Sequence, residues 1–364
     1  MKIVVYAICR NEARFADRWM DSMSEADRVI VLDTGSDDGT ADLLRKRGAE
    51  VTVERITPWR FDAARNRSLE LVPPDADVCV CTDLDEIFRP GWRKNLERAW
   101  TPGICQLRYR YTWSFNPDGS EGCVFWIEKI HTRKNFRWAN PVHEVLQWTG
   151  TTPCVSAFAE GVLLEHHADP AKSRKQYLPL LELAVTEDPH NDRNMHYLGR
   201  EYFFYRDWDN CIRTLERHLT MPEAVWPDER SASMRYLARS HARKRQDEQA
   251  RVWFHRSIAE APHLREPFTD YAVYLTERAE WDGASWLARE ALKRTERPRS
   301  YICEGDAWND LPYDLLALSC YNTGRYTEAL EAGLKAASLA PWKQRLTDNL
   351  VFYEKAARQD KNQT

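Results

Sequence analysis

Val78-Cys79-Val80-Cys81-Thr82-Asp83-Leu84-Asp85-Glu86-Ile87-Phe88 is the stretch on which the reading of this sequence turns. Its first four residues have the composition of a short buried strand. The strand runs straight into three carboxylates, Asp83, Asp85 and Glu86. Like charges this close repel, and leaving them uncompensated beside a core costs several kcal/mol. A cation must stand there, either a basic side chain or a divalent metal carrying a phosphorylated ligand. Cys79 and Cys81 are spaced to share one face of the strand, where thiols pack as small apolar groups.

Working outward, the first 170 residues alternate strand and helix patterns. KIVVYAI (2–8), RVIVLDTGS (28–36) and AEVTVERI (49–56) read as strands that precede the quoted one. ARFADRWMDSM (13–23), DGTADLLRKRG (38–48) and FDAARNRSLELV (61–72) read as the intervening helices, the second with Asp37 or Asp38 at its start and Gly48 at its end. Repeated strand–helix–strand units with short links imply a mostly parallel sheet covered on both faces. Ligands gather at the carboxyl ends of such strands. The segment 8–12 (ICRNE), Asp33 and Asp83-Leu84-Asp85 all fall at those ends. Residues 104–166 read as aromatic-rich shorter strands, an antiparallel extension able to wall a site and stack a sugar or a base.

From about residue 175 the pattern becomes helical and repetitive. Leu198-Gly199, Tyr202, Cys211 and Leu215 occupy the slots of a tetratricopeptide repeat. Leu237-Ala238, His241, Ala250, Phe254 and Pro262 form a second copy. Tyr271-Ala272, Leu275, Ala284 and Ala288 form a third, and Leu316-Ala317, Ala329, Gly333 and Pro341 a fourth. The wider spacing between copies one and two marks PEAVWPD (222–228) as an insertion, and RPRSYICEGDAW (297–308) is a second. Stacked repeats bury a continuous core and offer a concave face for a partner or for self-association into a homodimer. The expected domains are therefore 1–174, α/β, and 175–364, an all-α superhelix.

Bulk composition narrows the function. The chain has 364 residues, 43% hydrophobic and 30% charged, with a formal charge of −4. No polycation signal for nucleic acid is present. No apolar run approaches the roughly 20 residues of a membrane span. The opening KIVVYAI is too short and too quickly polar for a signal peptide, and nine scattered cysteines without a C-x-x-C read as reduced thiols. The expectation is a cytoplasmic protein. Arg235, Arg239, Arg243, Lys244 and Arg245 cluster near the second repeat. They suit either a phosphate-bearing or acidic partner or a solvated face paired with neighbouring acids.

Five motifs in order, ICRNE (8–12), VLDTGSDDGT (31–40), FDAARN (61–66), TDLDE (82–86) and PVHE (141–144), resemble the glycosyltransferase family 2 enzymes of the GT-A fold. The likeness is to the bacterial branch related to lipooligosaccharide β-1,4-glucosyltransferases. Sublancin-type peptide S-glycosyltransferases with C-terminal tetratricopeptide repeats belong to the same comparison. The resemblance covers residues 1–175. It implies that Asn11 and Glu12 border a nucleotide pocket and that Asp33 contacts base or ribose. Arg65 would meet the sugar diphosphate or the uracil end, with an ion pair to Asp33 or Asp62 as the competing structural role. Asp83 and Asp85 match the D-x-D, ribose or metal for the first and metal for the second. Leu84 stands where Ala is usual, a bulkier spacer at the pocket lip. His166 matches a histidine after the last strand, a third metal ligand or a diphosphate contact, with His167 its adjacent competitor.

The implied chemistry is a metal-dependent inverting transfer of a hexose, with Mn²⁺ or Mg²⁺, from a UDP-linked donor. A metal neutralises the departing diphosphate, and inversion needs a base on the acceptor side. Glu144 is the first candidate base and His143 the second. The competing role for Glu144 is a loop carboxylate that holds an Arg or Lys. The acceptor, a glycan, a peptide or a modified nucleic-acid base, is not fixed by the sequence. A nucleotidyltransferase and a non-catalytic nucleotide-binding scaffold are the alternatives; the acidic TGSDDGT loop argues against the first.

Overall fold

A computed structural model describes residues 1–169 and 174–361. The N-terminal part opens with β1 (Ile3–Cys9), α1 (Ala13–Ser22), β2 (Arg28–Asp33), α2 (Thr40–Lys46), β3 (Glu50–Val53), α3 (Phe61–Glu70) and β4 (Val78–Cys81). It continues with β5 (Glu86–Phe88), α4 (Trp92–Ala99), β6 (Ile104–Thr112), β7 (Val124–Thr132), β8 (Phe136–Ala139), β9 (Val145–Trp148) and β10 (Val155–His166). Eight strands form one sheet in the order β3-β2-β1-β4-β7-β6-β10-β5, and β8 pairs with β9 in a separate hairpin.

The parallel half of the sheet, β3 to β4, follows from strands buried on both faces. In β1, Ile3, Val5, Ala7 and Cys9 pack with Trp19 and Met23 beside α1 and with Leu44 of α2. The intervening Val4 and Tyr6 pack with Leu69 of α3 and Trp138 of β8. The same alternation sends Val78 and Val80 of β4 to one core and Cys79 and Cys81 to the other. Both thiols are fully buried, as their apolar strand implies.

The expected antiparallel extension is mixed. β7 runs antiparallel to β4 and β6, whereas β10 runs parallel to β6 and antiparallel to β5. β10 is twelve residues long, and its register against β6 shifts between Ala159 and Leu163. Past the irregularity β10 stays paired with β6 as far as Glu165, and its other edge pairs with β5 over Leu164 to His166. That second pairing sets His166 opposite Glu86 in the ladder.

The helical part comprises α5 (Tyr177–Glu187), α6 (Asp192–Phe204), α7 (Trp208–Thr220), α8 (Pro227–Arg243), α9 (Asp247–Glu260), α10 (Glu266–Thr276), α11 (Trp281–Leu292), α12 (Leu311–Asn322), α13 (Tyr326–Leu339) and α14 (Gln344–Lys361). The four repeat copies are the pairs α6–α7, α8–α9, α10–α11 and α12–α13. The expected insertions fall mainly in connections: residues 222–226 link α7 to α8 while Pro227 and Asp228 already open α8, and 297–308 ends in a short 3₁₀ turn, Gly305–Trp308. Two compact units emerge, residues 1–115 with 121–184, and residues 116–120 with 185 onward. The division thus falls within α5 rather than after residue 174.

Small residues hold the repeat helices close. A Cβ on Gly199 of α6 would lie 2.2 Å from Leu215 Cδ2 of α7, and one on Gly333 of α13 would lie 2.7 Å from Tyr353 Cδ2 of α14. Leu215 is itself fully buried and cannot step aside. Gly199→Ala is therefore expected to cost about 1–3 kcal/mol through overpacking, read as a lower urea midpoint for loss of helical signal. An unchanged midpoint would mean that α6 and α7 are not packed this tightly.

A buried relay crosses the sheet. Trp138 Nε1 donates to the Tyr6 hydroxyl at 2.9 Å, Tyr6 lies 2.8 Å from His131 Nε2, and His131 Nδ1 lies 2.8 Å from the Thr132 carbonyl. Burial lowers the His131 pKa from 6.5 to about 4. The unfolded chain takes up a proton near pH 6.5 that the native sheet refuses until about pH 4. Stability is complete above that window and falls with pH inside it, by on the order of 3 kcal/mol. Urea unfolding at pH 7 and pH 4.5 should show this loss, reduced in His131→Gln. Equal losses in both proteins would assign it to other groups.

Candidate active site

Asp83 and Asp85 lie in a tight turn at the carboxyl end of β4, closed by Glu86 N–H to the Asp83 carbonyl at 3.0 Å. They are not successive same-side positions of a strand, as the spacing alone suggested, and they meet different partners. Leu84 between them is fully buried in the sheet core, so it does not reach a pocket lip.

Two side-chain cations answer the carboxylates. Arg65 of α3 donates from Nη2 to Asp83 Oδ1 at 2.9 Å and from Nε to Glu144 Oε1 at 2.5 Å. Its Nη1 reaches Cys81 Sγ at 3.4 Å, and its guanidinium lies 5.1 Å from the Trp138 ring centroid. The Arg65 side chain is only 5% exposed. Burial opposes its charge, and Asp83 and Glu144 overcome this and raise its pKa well above the guanidinium norm. Lys129 of β7 donates to Glu86 Oε1 at 2.9 Å and approaches Asp83 Oδ2 at 3.4 Å. Burial opposes this charge too, and Glu86 and Asp83 raise the ammonium pKa regardless.

Asp62 takes no part in holding Arg65; Arg60 engages it at 2.9 Å. Asp33 is not its partner either. Asp33 is fully buried, with Oδ1 accepting from the Gly35 and Ser36 amides at 2.8 and 2.7 Å and Oδ2 facing the Cys9 thiol at 3.7 Å. Direct contact with a base or ribose would require an exposed oxygen, and Asp33 exposes none. It shapes the loop after β2 instead. That loop is tied to Asn11, which is exposed and left-handed at φ 55°. The Asn11 amide donates to Ser36 Oγ at 2.8 Å, and its side-chain oxygen accepts from Asp37 N–H at 2.9 Å. Glu12 is buried, its amide on Thr40 Oγ1 at 2.8 Å.

Asp85 faces His166. Their Oδ2 and Nε2 atoms are 3.6 Å apart, and the far nitrogen, Nδ1, sits 3.0 Å from the Trp113 carbonyl. Burial lowers the His166 pKa, and the Asp85 and Glu86 carboxylates outweigh it to raise the value overall. A backbone bond from His167 N–H to the Asp85 carbonyl at 2.8 Å fixes the strand end against the turn. The His167 ring points elsewhere, stacked on Phe115 at 5.1 Å with Nε2 3.3 Å from Glu165. Asp85 and His166 thus form a carboxylate–imidazole pair that could hold a divalent ion, with the carbonyl beyond His166 orienting the ring. Asp83 belongs to the arginine–lysine network.

His143 precedes Glu144 in the loop from β8 to β9. It is left-handed at φ 51°, as is Asn140 at 79°. Its ring meets Tyr177 of α5 edge-on at 5.6 Å. These two turns aim Glu144 back at α3. Sequence reasoning missed Lys129 and Tyr111, whose hydroxyl donates to Glu86 Oε1 at 2.7 Å. The only signal was a charged residue in the inward alternation of the β7 pattern. It also missed Trp113, whose ring lies 4.7 Å from His166 and which is 37% exposed.

Arg65→Met would leave Glu144 without its cation and Asp83 with only Lys129 at 3.4 Å, beside a buried core. The expected cost is about 3–5 kcal/mol of stability, read by thermal or urea unfolding. A cost under about 1 kcal/mol, the size of an exposed pair, would show that solvent already screens the network.

Among solved structures, the chain is similar to yeast Tom70 at 16% identity, TM-score 0.40, over 52% of this chain and 37% of that one. The C-terminal part of a TPR repeat-containing protein from Cytophaga hutchinsonii matches at 12% identity, TM-score 0.41, over 51% and 67%. A thermophilic TPR protein in Thermus thermophilus matches at 19% identity, TM-score 0.34, over 50% and 88%. The chain thus spans little more than a third of the Tom70 structure. No helix among the described residues is long and apolar enough to cross a membrane. Residues 4–149 match the family model Glycosyl transferase family 2, which supports an enzyme of the glycosyltransferase class.

Proposed function

We propose that the chain transfers a hexose from a UDP-linked donor to an acceptor hydroxyl or thiol, with inversion and with Mn²⁺ or Mg²⁺. The observation that carries this reading is the Asp85–His166 pair beside the Arg65–Asp83–Glu144 network, both at the carboxyl end of the central strands. In a doubly wound sheet of order β3-β2-β1-β4, the crevice at that end of β1 and β4 is where a nucleotide sits. Asp85 and His166 would hold the ion, which supplies charge neutralisation for the leaving diphosphate.

The remaining roles belong to side chains. Arg65 fixes Asp83 and Glu144 relative to each other. Asn11 and Glu12 line the nucleotide side of the crevice through the loop that Asp33 shapes. Glu144 is the proposed base: Arg65 occupies Oε1, which leaves Oε2 as the oxygen to take the acceptor proton. His143 is the second candidate. Trp113 beside His166 offers a flat apolar face for a sugar ring. The acceptor is proposed to be a glycan, a peptide or a modified nucleic-acid base, with the repeats binding it or joining two copies. The loop amides of Gly35 and Ser36 are already bound by Asp33, so they are not a phosphate cradle. That weighs against a nucleotidyltransferase.

Thermal melting with UDP, GDP and CMP, each with and without Mn²⁺, tests the reading. One nucleotide should raise the midpoint only with metal, and Asp85→Ala should abolish that rise while the fold survives. No rise with any nucleotide would move the reading to a scaffold. Glu144→Gln should reduce transfer about 10²- to 10⁴-fold with donor affinity unchanged. Equal loss of both would assign Glu144 to the donor pocket.

A further inference from the structure

The helical unit contains a side-chain cluster that the proposed transfer reaction does not use. Asp192 in the first turn of α6, His218 in the last turn of α7 and Glu229 in the first turn of α8 each present one ligand atom, all within 4.8 Å of one another. His218 is fully buried and Glu229 nearly so, while Asp192 is partly exposed. Two carboxylates therefore converge on one imidazole in a largely dry place.

The imidazole is oriented from behind. His218 Nδ1 lies 3.1 Å from Ser233 Oγ, and Ser233 Oγ lies 2.8 Å from His196 Nδ1. A serine hydroxyl has one proton. If it is given to His196, His218 keeps its own proton on Nδ1 and turns the Nε2 lone pair toward the carboxylates. His218 Nε2 has no hydrogen-bond partner among the described residues, and the nearest carboxylate oxygen, Glu229 Oε1, is 3.5 Å away. The other oxygen of Glu229 is taken by the Tyr301 hydroxyl. Arg193 lies nearby over the rings of Tyr197 and Tyr301 at 4.7 and 5.4 Å; burial opposes its charge, and Glu229 is among the charges that raise its pKa. A fully buried nitrogen without a close hydrogen bond, 3.5 Å from one carboxylate, facing a second and fixed from its far side, is the arrangement of a metal ligand with its supporting shell.

We propose that Asp192, His218 and Glu229 bind a divalent transition-metal ion of the zinc class. One imidazole with two carboxylates suits such an ion better than the oxygen-only sites of Ca²⁺ or Mg²⁺. Bonds of about 2.0–2.2 Å require the ligand atoms to draw slightly together, which the partly exposed Asp192 permits. The ion would join three consecutive helices. It would also explain the extra residues between the first two repeats, since the connection 221–226 lies between His218 and Glu229 and sets them face to face.

The test uses the full chain carrying Asp85→Asn, which removes the carboxylate proposed to hold the other ion. After equilibration with ZnCl₂ and gel filtration in metal-free buffer, elemental analysis should find one zinc per chain. A near-saturating excess of ZnCl₂ should raise the melting midpoint by about 5 °C or more. Adding His218→Gln should remove both effects. If that variant does not fold, Asp192→Asn at the partly exposed position should weaken binding more than about tenfold. Two results would overturn the proposal: no zinc in the Asp85→Asn chain, or zinc that persists when His218 and Asp192 are both replaced. Zinc of the latter kind would sit elsewhere, for example on thiols.

Discussion

The N-terminal unit depends on one buried charge arrangement. Arg65 projects from α3 beneath the end of β4 and binds Asp83 from the turn and Glu144 from the β8–β9 loop. Lys129 enters from β7 and binds Glu86. Each cation alone would be costly to bury, and so would each carboxylate. Together the two cations offset most of the charge of Asp83, Glu86 and Glu144, and the five groups come from four places in the chain. The network therefore forms only when helix, central strand, antiparallel strand and loop are all in place.

That arrangement also organises the chemistry. With Asp83 and Glu86 engaged by protein cations, Asp85 is the carboxylate turned to the other side. Its neighbour there is His166, carried by the end of a long strand that is flanked by β6 on one edge and β5 on the other. In the proposed reaction this carboxylate–imidazole pair would hold an ion beside the arginine–lysine network. Trp113 of the extension packs its ring 4.7 Å from His166 and would wall that site.

The helical unit follows different physics. Its core is made by small residues that let helices approach, with Gly199 against Leu215 and Gly333 against Tyr353. Its charges are largely satisfied internally. Arg235, the first of the expected basic cluster, is buried and paired with Asp270 at 2.8 Å and Glu304 at 2.6 Å. Lys244 is paired with Asp209, and Arg239 lies near Asp270 at 3.7 Å. Much of that stripe is therefore structural rather than an open basic surface. Helix periodicity shows which residues share a face, not whether a neighbouring helix covers it.

The sequence by itself determined the alternating elements of the parallel half, the four helix pairs, both insertions and the need for a cation beside Asp83, Asp85 and Glu86. Those features rest on local periodicity, on small residues at fixed spacing and on the repulsion of like charges, all carried by neighbouring positions. Only the tertiary structure decided which cations answer the carboxylates, since Lys129 is more than forty residues from Asp83 and nothing in its own strand names its partner. It likewise decided that His166 rather than His167 faces Asp85, because a strand's register and bulge set which way a side chain points. It turned Leu84 inward and closed Asp33 within its loop. These outcomes depend on packing between distant segments, which local pattern does not contain.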